Sequence, residues 1–257
     1  MRLRNLKAGI VAAGLVLCAV AVPLSGSSAQ TKITPENRAE FEKIIHDYIL
    51  NNPQIVLEAV QKLREQQHAA KTVADRDLVL ANEKQILSDP TSPVGGNPKG
   101  DVTVVEFFDY RCSVCRSVHP LVTKLMETDA NIRRVYKEWP ILGPNSVVAA
   151  RAAIASRKQG RYLAFHDALM ESKTNLDEAA IMRVAKSVGL DTDRLSRDMK
   201  SPEVDKVLRE NFKLAERLNL NGTPSFLVGT RIVRGGPDLD GLRQLVAEAR
   251  SAKGSAR

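Results

Sequence analysis

Two cysteines separated by two residues are the side chains of this sequence best suited to covalent chemistry. They form the segment Cys112-Ser113-Val114-Cys115, which follows a β-branched and aromatic run and stands at the predicted start of a helix. Unpaired backbone N–H groups and the positive end of a helix stabilise a thiolate, and the pKa of such thiols falls to roughly 3.5–7.5. We therefore predict that Cys112 attacks disulfides. Cys115, one helical turn later and more buried, would resolve the mixed disulfide.

The spacing of this pair argues against a structural role. A bond between residues three apart closes almost no loop, so it adds little chain-entropy stabilisation. A zinc half-site with His119 as a third ligand is the alternative. A structural zinc site needs a fourth ligand and usually a second cysteine pair, which the sequence lacks. We expect His119 to be an exposed helix residue. We also expect no metal ligands and no cofactor other than the redox-active pair of Cys112 and Cys115.

The first 29 residues have the pattern of a secretory signal peptide. Three basic residues precede an apolar run over residues 8–24, and small residues follow at 25–29. This order predicts a cleaved signal peptide, residues 1–29, and export of the remaining chain. An uncleaved membrane anchor is the alternative. Cys18 would leave with the signal, so the mature chain would keep only the two cysteines of the pair.

Composition fits a globular protein with an accessory segment. The chain has 257 residues, of which 43% are hydrophobic and 26% charged. The formal net charge is +8, and three of the positive charges lie in the predicted signal peptide. No block of basic residues stands out, and no basic patch is interleaved with aromatic residues. We therefore expect no nucleic-acid partner.

Hydrophobic patterning predicts an α/β fold. Strands are predicted over residues 102–108, 132–139, 225–229 and 231–233, with the last two forming a hairpin. A helical region fills residues 144–218, and a last helix covers 238–251. The predicted order of elements over residues 102–251 is therefore strand, helix, strand, helical insert, two strands and helix.

An N-terminal helical region, residues 30–92, is predicted to precede this fold. Apolar residues repeat at helical spacing from Phe41 to Ile49, Pro53 separates a second helix, and residues 89–100 form a linker rich in proline and glycine. Two short helices cannot bury their apolar faces alone. They would either dock on the body of the protein or pair with other copies, and the polar connector favours self-association.

The motif and its surroundings resemble the thioredoxin superfamily, in its DsbA branch. The lead-in from Val105 to Cys112, the segment from Glu138 to Ser146, and Gly222-Thr223-Pro224 before a strand are similar to that family's motifs. The resemblance covers residue 102 to the C-terminus and implies a thioredoxin-like domain over residues 93–257, with a helical insertion. It also implies a cis-proline loop, in which Thr223 and Pro224 bind the substrate as a strand.

The same resemblance assigns further residues around the cysteines. Glu106 matches a buried acid that tunes the nucleophile, whereas a solvent-facing strand residue is the alternative. Ser113 and Val114, between the cysteines, would also tune the thiolate. This dipeptide departs from those typical of the family, which leaves the redox direction open.

Residues 48–60 are similar to the N-terminal helices of ScsC, the suppressor-of-copper-sensitivity subgroup. That similarity implies a homotrimer through residues 34–64, a periplasmic location and a link to copper resistance. It favours a disulfide isomerase or reductase that acts on exported proteins and is kept reduced by a membrane redox partner. One alternative is a dithiol oxidase that donates disulfides. Another is a non-enzymatic copper-binding or chaperone-like trimer, although the few scattered methionines of the mature chain argue against copper storage.

Overall fold

The computed structural model describes residues 34–254, so the predicted signal peptide lies outside the described residues. The described residues divide into two compact units, with the boundary between Ala59 and Val60. Within residues 34–254, no helix combines the length and the apolar character needed to cross a membrane.

The first unit is helical, as its periodicity predicts. Helix α1 spans Pro35–Asn51 and begins with proline at its first position, where the missing N–H costs no hydrogen bond. Asn52 and Pro53 separate it from helix α2, Gln54–Ala81, which begins in this unit and continues into the second. A short helix α3, Glu83–Leu87, follows.

The second unit contains a five-stranded mixed sheet. Its strands are β1 Val94–Gly96, β2 Val102–Phe108, β3 Ile132–Glu138, β4 Ser225–Val228 and β5 Arg231–Arg234, and their spatial order is β1-β3-β2-β4-β5. Strands β2 and β3 run parallel and the other neighbouring pairs are antiparallel. Strand β1 lies inside the segment that sequence patterning assigned to a linker. It has three residues and two glycines, so it carries no alternation that could predict a strand.

Helices cover the sheet and form the predicted insertion. They are α4 Ser113–Thr128, α5 Pro144–Ser156, α6 Tyr162–Glu171, α7 Glu178–Ser187, α8 Thr192–Asp198, α9 Pro202–Arg217 and α10 Leu239–Gly254. Helices α5 to α9 stand between β3 and β4, which is where the helical insert was predicted. The expectation of an α/β, thioredoxin-like fold with a helical insertion is confirmed.

Buried apolar side chains form three clusters. One fills the helical insert and reaches the two cysteines of the pair. A second lies between the sheet and helices α4 and α10. The third joins Phe107 and Trp139 to Val79 of α2 and Ile86 of α3. The C-terminal end of α2 and helix α3 therefore belong to the same core as the strand that leads to the cysteines.

Candidate active site

Cys112 occupies the N-cap position of helix α4. Strand β2 brings the chain to this point, and the N–H of Cys112 donates to the carbonyl of Asp109 at 3.1 Å. The sulfur of Cys112 accepts a hydrogen bond from the backbone N–H of Cys115 at 3.4 Å. The first thiol therefore faces the unpaired N–H groups of a helix N-terminus, as the sequence predicts.

The two thiols differ strongly in acidity. The thiol of Cys115, hydrogen-bonded to the sulfur of Cys112, lowers the pKa of Cys112 to about 5, and backbone N–H groups of Cys115 and Val114 act in the same direction. The pKa of Cys115 is raised, first by its hydrogen bond to Cys112 and then by burial. Cys112 can therefore be a thiolate at neutral pH while Cys115 keeps its proton.

The predicted proline loop lies against the first thiol. The peptide bond between Thr223 and Pro224 is cis, which confirms that expectation. The sulfur of Cys112 lies 3.3 Å from the carbonyl oxygen of Thr223 and donates to it when the thiol is protonated. The N–H of Gly235 donates to the carbonyl of Pro224 at 2.9 Å. Cys112 and the loop at Thr223 and Pro224, which lie far apart in the sequence, are therefore in contact in the folded domain.

Glu106 is fully buried on β2, so the alternative of a solvent-facing residue is wrong. Its Oε2 accepts from the guanidinium of Arg134 at 2.6 Å, and both side chains are almost completely inaccessible. Burial raises the pKa of Glu106, whereas the charge of Arg134 opposes that rise. The carboxyl lies close enough to Cys115 to contribute to the raised pKa of that thiol. Sequence reasoning missed Arg134, because a single buried cation on a strand has no periodic signature.

Ser113 and Val114 are exposed on the first turn of α4. Val114 also contacts the segment after β5, because a Cβ added to Gly236 would stand 2.9 Å from its Cγ1 and 2.5 Å from Cγ2 of Val118. Any other residue at position 236 would therefore force one of these neighbours to shift. The dipeptide between the cysteines therefore lies at an accessible surface, next to the proline loop.

His119 is buried, so the expectation of an exposed helix residue is wrong. It lies on the face of α4 that packs against the helical insert. Among residues 34–254, His119, His166 and Asp167 form a group whose ligand atoms all lie within 4.8 Å of one another. Burial lowers the pKa of His119 to about 4, and the nearby charge of Arg134 acts in the same direction. Because the guanidinium of Arg134 is close to this group, it would repel a bound cation. The group does not include Cys112 or Cys115, so it is not the zinc half-site considered from the sequence.

A second buried acid was also missed. Glu138, at the end of β3, accepts hydrogen bonds at Oε1 from the hydroxyls of Tyr110 at 2.9 Å and Tyr162 at 2.8 Å. Burial raises the pKa of Glu138 to about 8. Tyr110 precedes Cys112 by two residues, so this carboxyl supports the turn that presents the first thiol.

Comparison with known proteins agrees with this geometry. A sequence model described as the DSBA-like thioredoxin domain matches residues 103–247, more than half of the chain. The chain belongs to the DsbA-like thioredoxin family of thiol–disulfide oxidoreductases. A second model, described as the copper resistance protein ScsC N-terminal domain, matches residues 37–70.

Solved structures support both matches. A thioredoxin-like oxidoreductase from Silicibacter pomeroyi is 49% identical, covers 66% of this chain and 98% of its own, and superposes with a TM-score of 0.65. Proteus mirabilis ScsC is 27% identical, covers 86% of this chain and 100% of its own, and has a TM-score of 0.64. The second comparison includes much of the N-terminal helical region.

A curated relative is much longer than this chain. The Na⁺/H⁺ antiporter NhaA 3 of Salinispora tropica is 30% identical over 181 residues, which is 68% of this chain but 28% of the antiporter. The chain thus spans about a quarter of the length of the curated antiporters that it matches.

Proposed function

We propose that this DsbA-like protein is a periplasmic disulfide isomerase or reductase that acts on exported proteins as a homotrimer. The observation that carries this proposal is the apolar surface of the first unit. Side chains exposed along α1 and the start of α2 include Ile44, Ile45, Tyr48, Leu50, Val56 and Leu57, and the exposed fractions reach 72%. We call this set the N-terminal apolar surface.

Exposure of this apolar surface to water in a monomer costs free energy. Complete burial of a large apolar side chain contributes roughly 1.5–3 kcal/mol, so several side chains together could hold copies of the chain in one assembly. Residues 37–70 are similar to the ScsC N-terminal domain, and this similarity supports the proposal that the same region forms the oligomer. Several copies of Cys112 around one misfolded client would raise the effective concentration of the thiolate.

The proposed chemistry begins at Cys112. Its thiolate attacks one sulfur of a substrate disulfide, a mixed disulfide forms, and the other substrate sulfur leaves as a thiolate. In isomerisation that thiolate attacks another disulfide of the same client and displaces a different client thiolate. The displaced thiolate attacks the client sulfur of the mixed disulfide, which forms the rearranged disulfide and releases Cys112 as a thiolate. In reduction Cys115 loses its proton and attacks Cys112, so the client gains two electrons and the pair becomes a disulfide.

The surrounding residues have supporting roles in this proposal. The backbone of Thr223 and Pro224 pairs with the substrate beside the thiolate. The charge of Glu106 raises the pKa of Cys115 and so delays resolution, which gives the mixed disulfide time to rearrange. A membrane redox partner returns the pair to the dithiol state after each reduction.

A dithiol oxidase is the second candidate, and the acidity of Cys112 favours it. A pKa of about 5 stabilises the reduced pair, and stabilisation of the reduced form makes the corresponding disulfide a stronger oxidant. In that case the pair would cycle in the opposite direction, and the client would lose two electrons.

Reactivation of ribonuclease with scrambled disulfides tests the proposal. The mature chain, added as a dithiol at catalytic concentration, should restore ribonuclease activity. Cys112→Ser should not, and it serves as the matched control because Cys115 remains. If the parent only oxidises reduced ribonuclease and leaves the scrambled form inactive, the isomerase proposal fails and the oxidase is favoured.

A further inference from the structure

A partly buried ion pair links helix α2 to the last strand of the sheet. The carboxylate of Asp75 accepts two hydrogen bonds from the guanidinium of Arg234, both at 2.8 Å. The side chains are 11% and 15% exposed. Asp75 comes from a polar stretch of α2, and Arg234 ends β5, 159 residues later. Bidentate pairs between arginine and carboxylate are strong and fix the plane of the guanidinium.

The same guanidinium holds the segment that leads to the proline loop. Its Nε donates to the carbonyl of Asn219 at 3.2 Å, and NH2 donates to the carbonyl of Leu218 at 3.3 Å. These carbonyls follow the end of α9 and open the connection to Pro224. Asn219 has a φ of 51°, a left-handed conformation that costs free energy for a residue other than glycine. The contacts to Arg234 help to keep this turn in place.

The backbone of the same strand holds the other end of this connection. Arg234 pairs with Ser225, the residue after Pro224, across the antiparallel strands β4 and β5. The next residue, Gly235, donates its N–H to the carbonyl of Pro224 at 2.9 Å. Residues 218–224 are thus held at both ends by Arg234 and its immediate neighbour.

We propose that Arg234 is a positioning residue for the substrate-binding loop at Thr223 and Pro224, and that Asp75 of helix α2 fixes its guanidinium in the working orientation. This inference rests on the proposed role of that loop in binding substrate. Without Asp75 the guanidinium keeps its charge in a largely buried place but loses its two shortest hydrogen bonds. It then turns toward water, and the carbonyls of Leu218 and Asn219 lose their donor.

The consequence is that the helix arriving from the N-terminal region takes part in substrate binding without touching the substrate. Asp75 does not contact the sulfur of Cys112, so its loss should leave the thiolate itself unchanged. The reaction with a peptide, which needs the loop, should suffer. The reaction with a small reagent, which needs only the thiolate, should not.

Two measurements on Asp75→Asn test this. The first is amide hydrogen exchange at Gly235. It should accelerate about tenfold, because asparagine keeps one oxygen acceptor and removes one of the two charge-assisted hydrogen bonds to Arg234. The second is the ratio of two rate constants of Cys112, for a disulfide-bonded peptide and for iodoacetamide. This ratio should fall by a similar factor while alkylation changes little.

The matched control is Asp101→Asn. Asp101 also forms a bidentate pair with an arginine, Arg250 of α10, with both distances at 2.8 Å. Neither residue forms a hydrogen bond or an ion pair with residues 218–224. The control should change neither measurement. Arg234→Lys is the second variant if Asp75→Asn folds poorly, because lysine keeps the charge but cannot reach Asp75 and both carbonyls at once.

The outcomes separate this inference from the proposed function. Unchanged exchange at Gly235 in a folded Asp75→Asn protein overturns the positioning role, whatever the activity. A parallel loss of the peptide and iodoacetamide reactions also overturns it, because the damage would then lie at the thiolate. A parent that fails to react with any peptide disulfide refutes the proposed function, while the exchange measurement still decides the role of Arg234.

Discussion

The thiol of Cys112 lies 3.3 Å from the carbonyl oxygen of Thr223, although 111 residues separate the two in the chain. This contact places a low-pKa sulfur next to the backbone that we propose binds the substrate as an extended peptide. Cleavage of a disulfide needs both, because the sulfur atoms must align before exchange can occur. The predictions below follow from this arrangement and from the buried charges around it.

Alkylation should separate the two thiols by pH. With a pKa of about 5, Cys112 should react with iodoacetamide at half its maximal rate near pH 5, because the thiolate is the reactive species. Cys115 should stay almost unreactive through neutral pH, since its pKa is raised. Mass spectrometry of the labelled peptides gives both rates. Equal reactivity of the two cysteines at every pH would contradict the assignment of their roles.

Removal of the resolving thiol should trap substrates. Cys115→Ser leaves Cys112 able to attack but removes the thiol that releases the client, so mixed disulfides with exported proteins should accumulate. Cys112→Ser should give none. Non-reducing electrophoresis of periplasmic extracts detects the adducts, and adducts found only with Cys112→Ser would reverse the two roles.

Glu138→Gln should change how stability depends on pH. The pKa of Glu138 is raised by burial from 4.5 to about 8, so the folded state favours the protonated acid. The stability of the parent that this group provides is present below pH 4.5 and is lost as the pH rises through 8, by at most about 1.4 kcal/mol per pH unit. Glutamine keeps an acceptor for Tyr110 and Tyr162 but does not ionise.

Urea unfolding of the oxidised proteins measures this effect without titration of the thiols. The free energy of unfolding of Glu138→Gln relative to the parent should increase between pH 5 and pH 8. A difference between the two proteins that stays constant over this range would show that Glu138 does not titrate as described.

Truncation should separate oligomerisation from folding. A chain that starts at Val60 lacks all six residues that define the N-terminal apolar surface but keeps Asp75, Val79 and Ile86. It should be a folded monomer with intact dithiol chemistry that keeps or gains oxidase activity and no longer isomerises scrambled disulfides. Light scattering of the full-length mature protein and of this chain gives their oligomeric states. A monomeric parent, or a truncated monomer that isomerises equally well, would defeat the trimer proposal.

A chain that starts at Pro93 is the matched comparison. It also lacks Val79 and Ile86, which are 4% and 1% exposed in the core beside β2. At roughly 1.5–3 kcal/mol for each buried side chain, it should be less stable than the longer chain by about 3 kcal/mol or more. Equal free energies of unfolding would show that the end of α2 and helix α3 do not contribute to this core.

Local sequence patterns predict much of the scaffold and little of its buried polar chemistry. Strand β2 and the start of α4 are readable because β-branched runs and a helix start have local signatures. The cis bond before Pro224 required resemblance to a family, since threonine followed by proline is by itself an ordinary turn. Strand β1 was missed because it is short and rich in glycine.

The sequence failed to predict the burial of several charged or polar residues, and one physical cause explains these failures. Arg134 is buried because Glu106 neutralises it on the neighbouring strand, and Asp75 is buried because Arg234 reaches it from the far end of the sheet. Hydrophobic periodicity reports only whether a position is apolar, so a charged residue is expected to face water. His119 was expected to be exposed for the same reason. Partners distant in sequence become visible only when the chain is folded.

The redox state of Cys112 and Cys115 in the intact periplasm tests the central claim most directly. Cells are quenched with acid, free thiols are alkylated with a reagent that adds mass, and the protein is detected by its mobility. A disulfide isomerase kept reduced by a membrane partner should have both cysteines mostly as thiols. A pair found mostly as the disulfide would contradict the proposal and would indicate an oxidase.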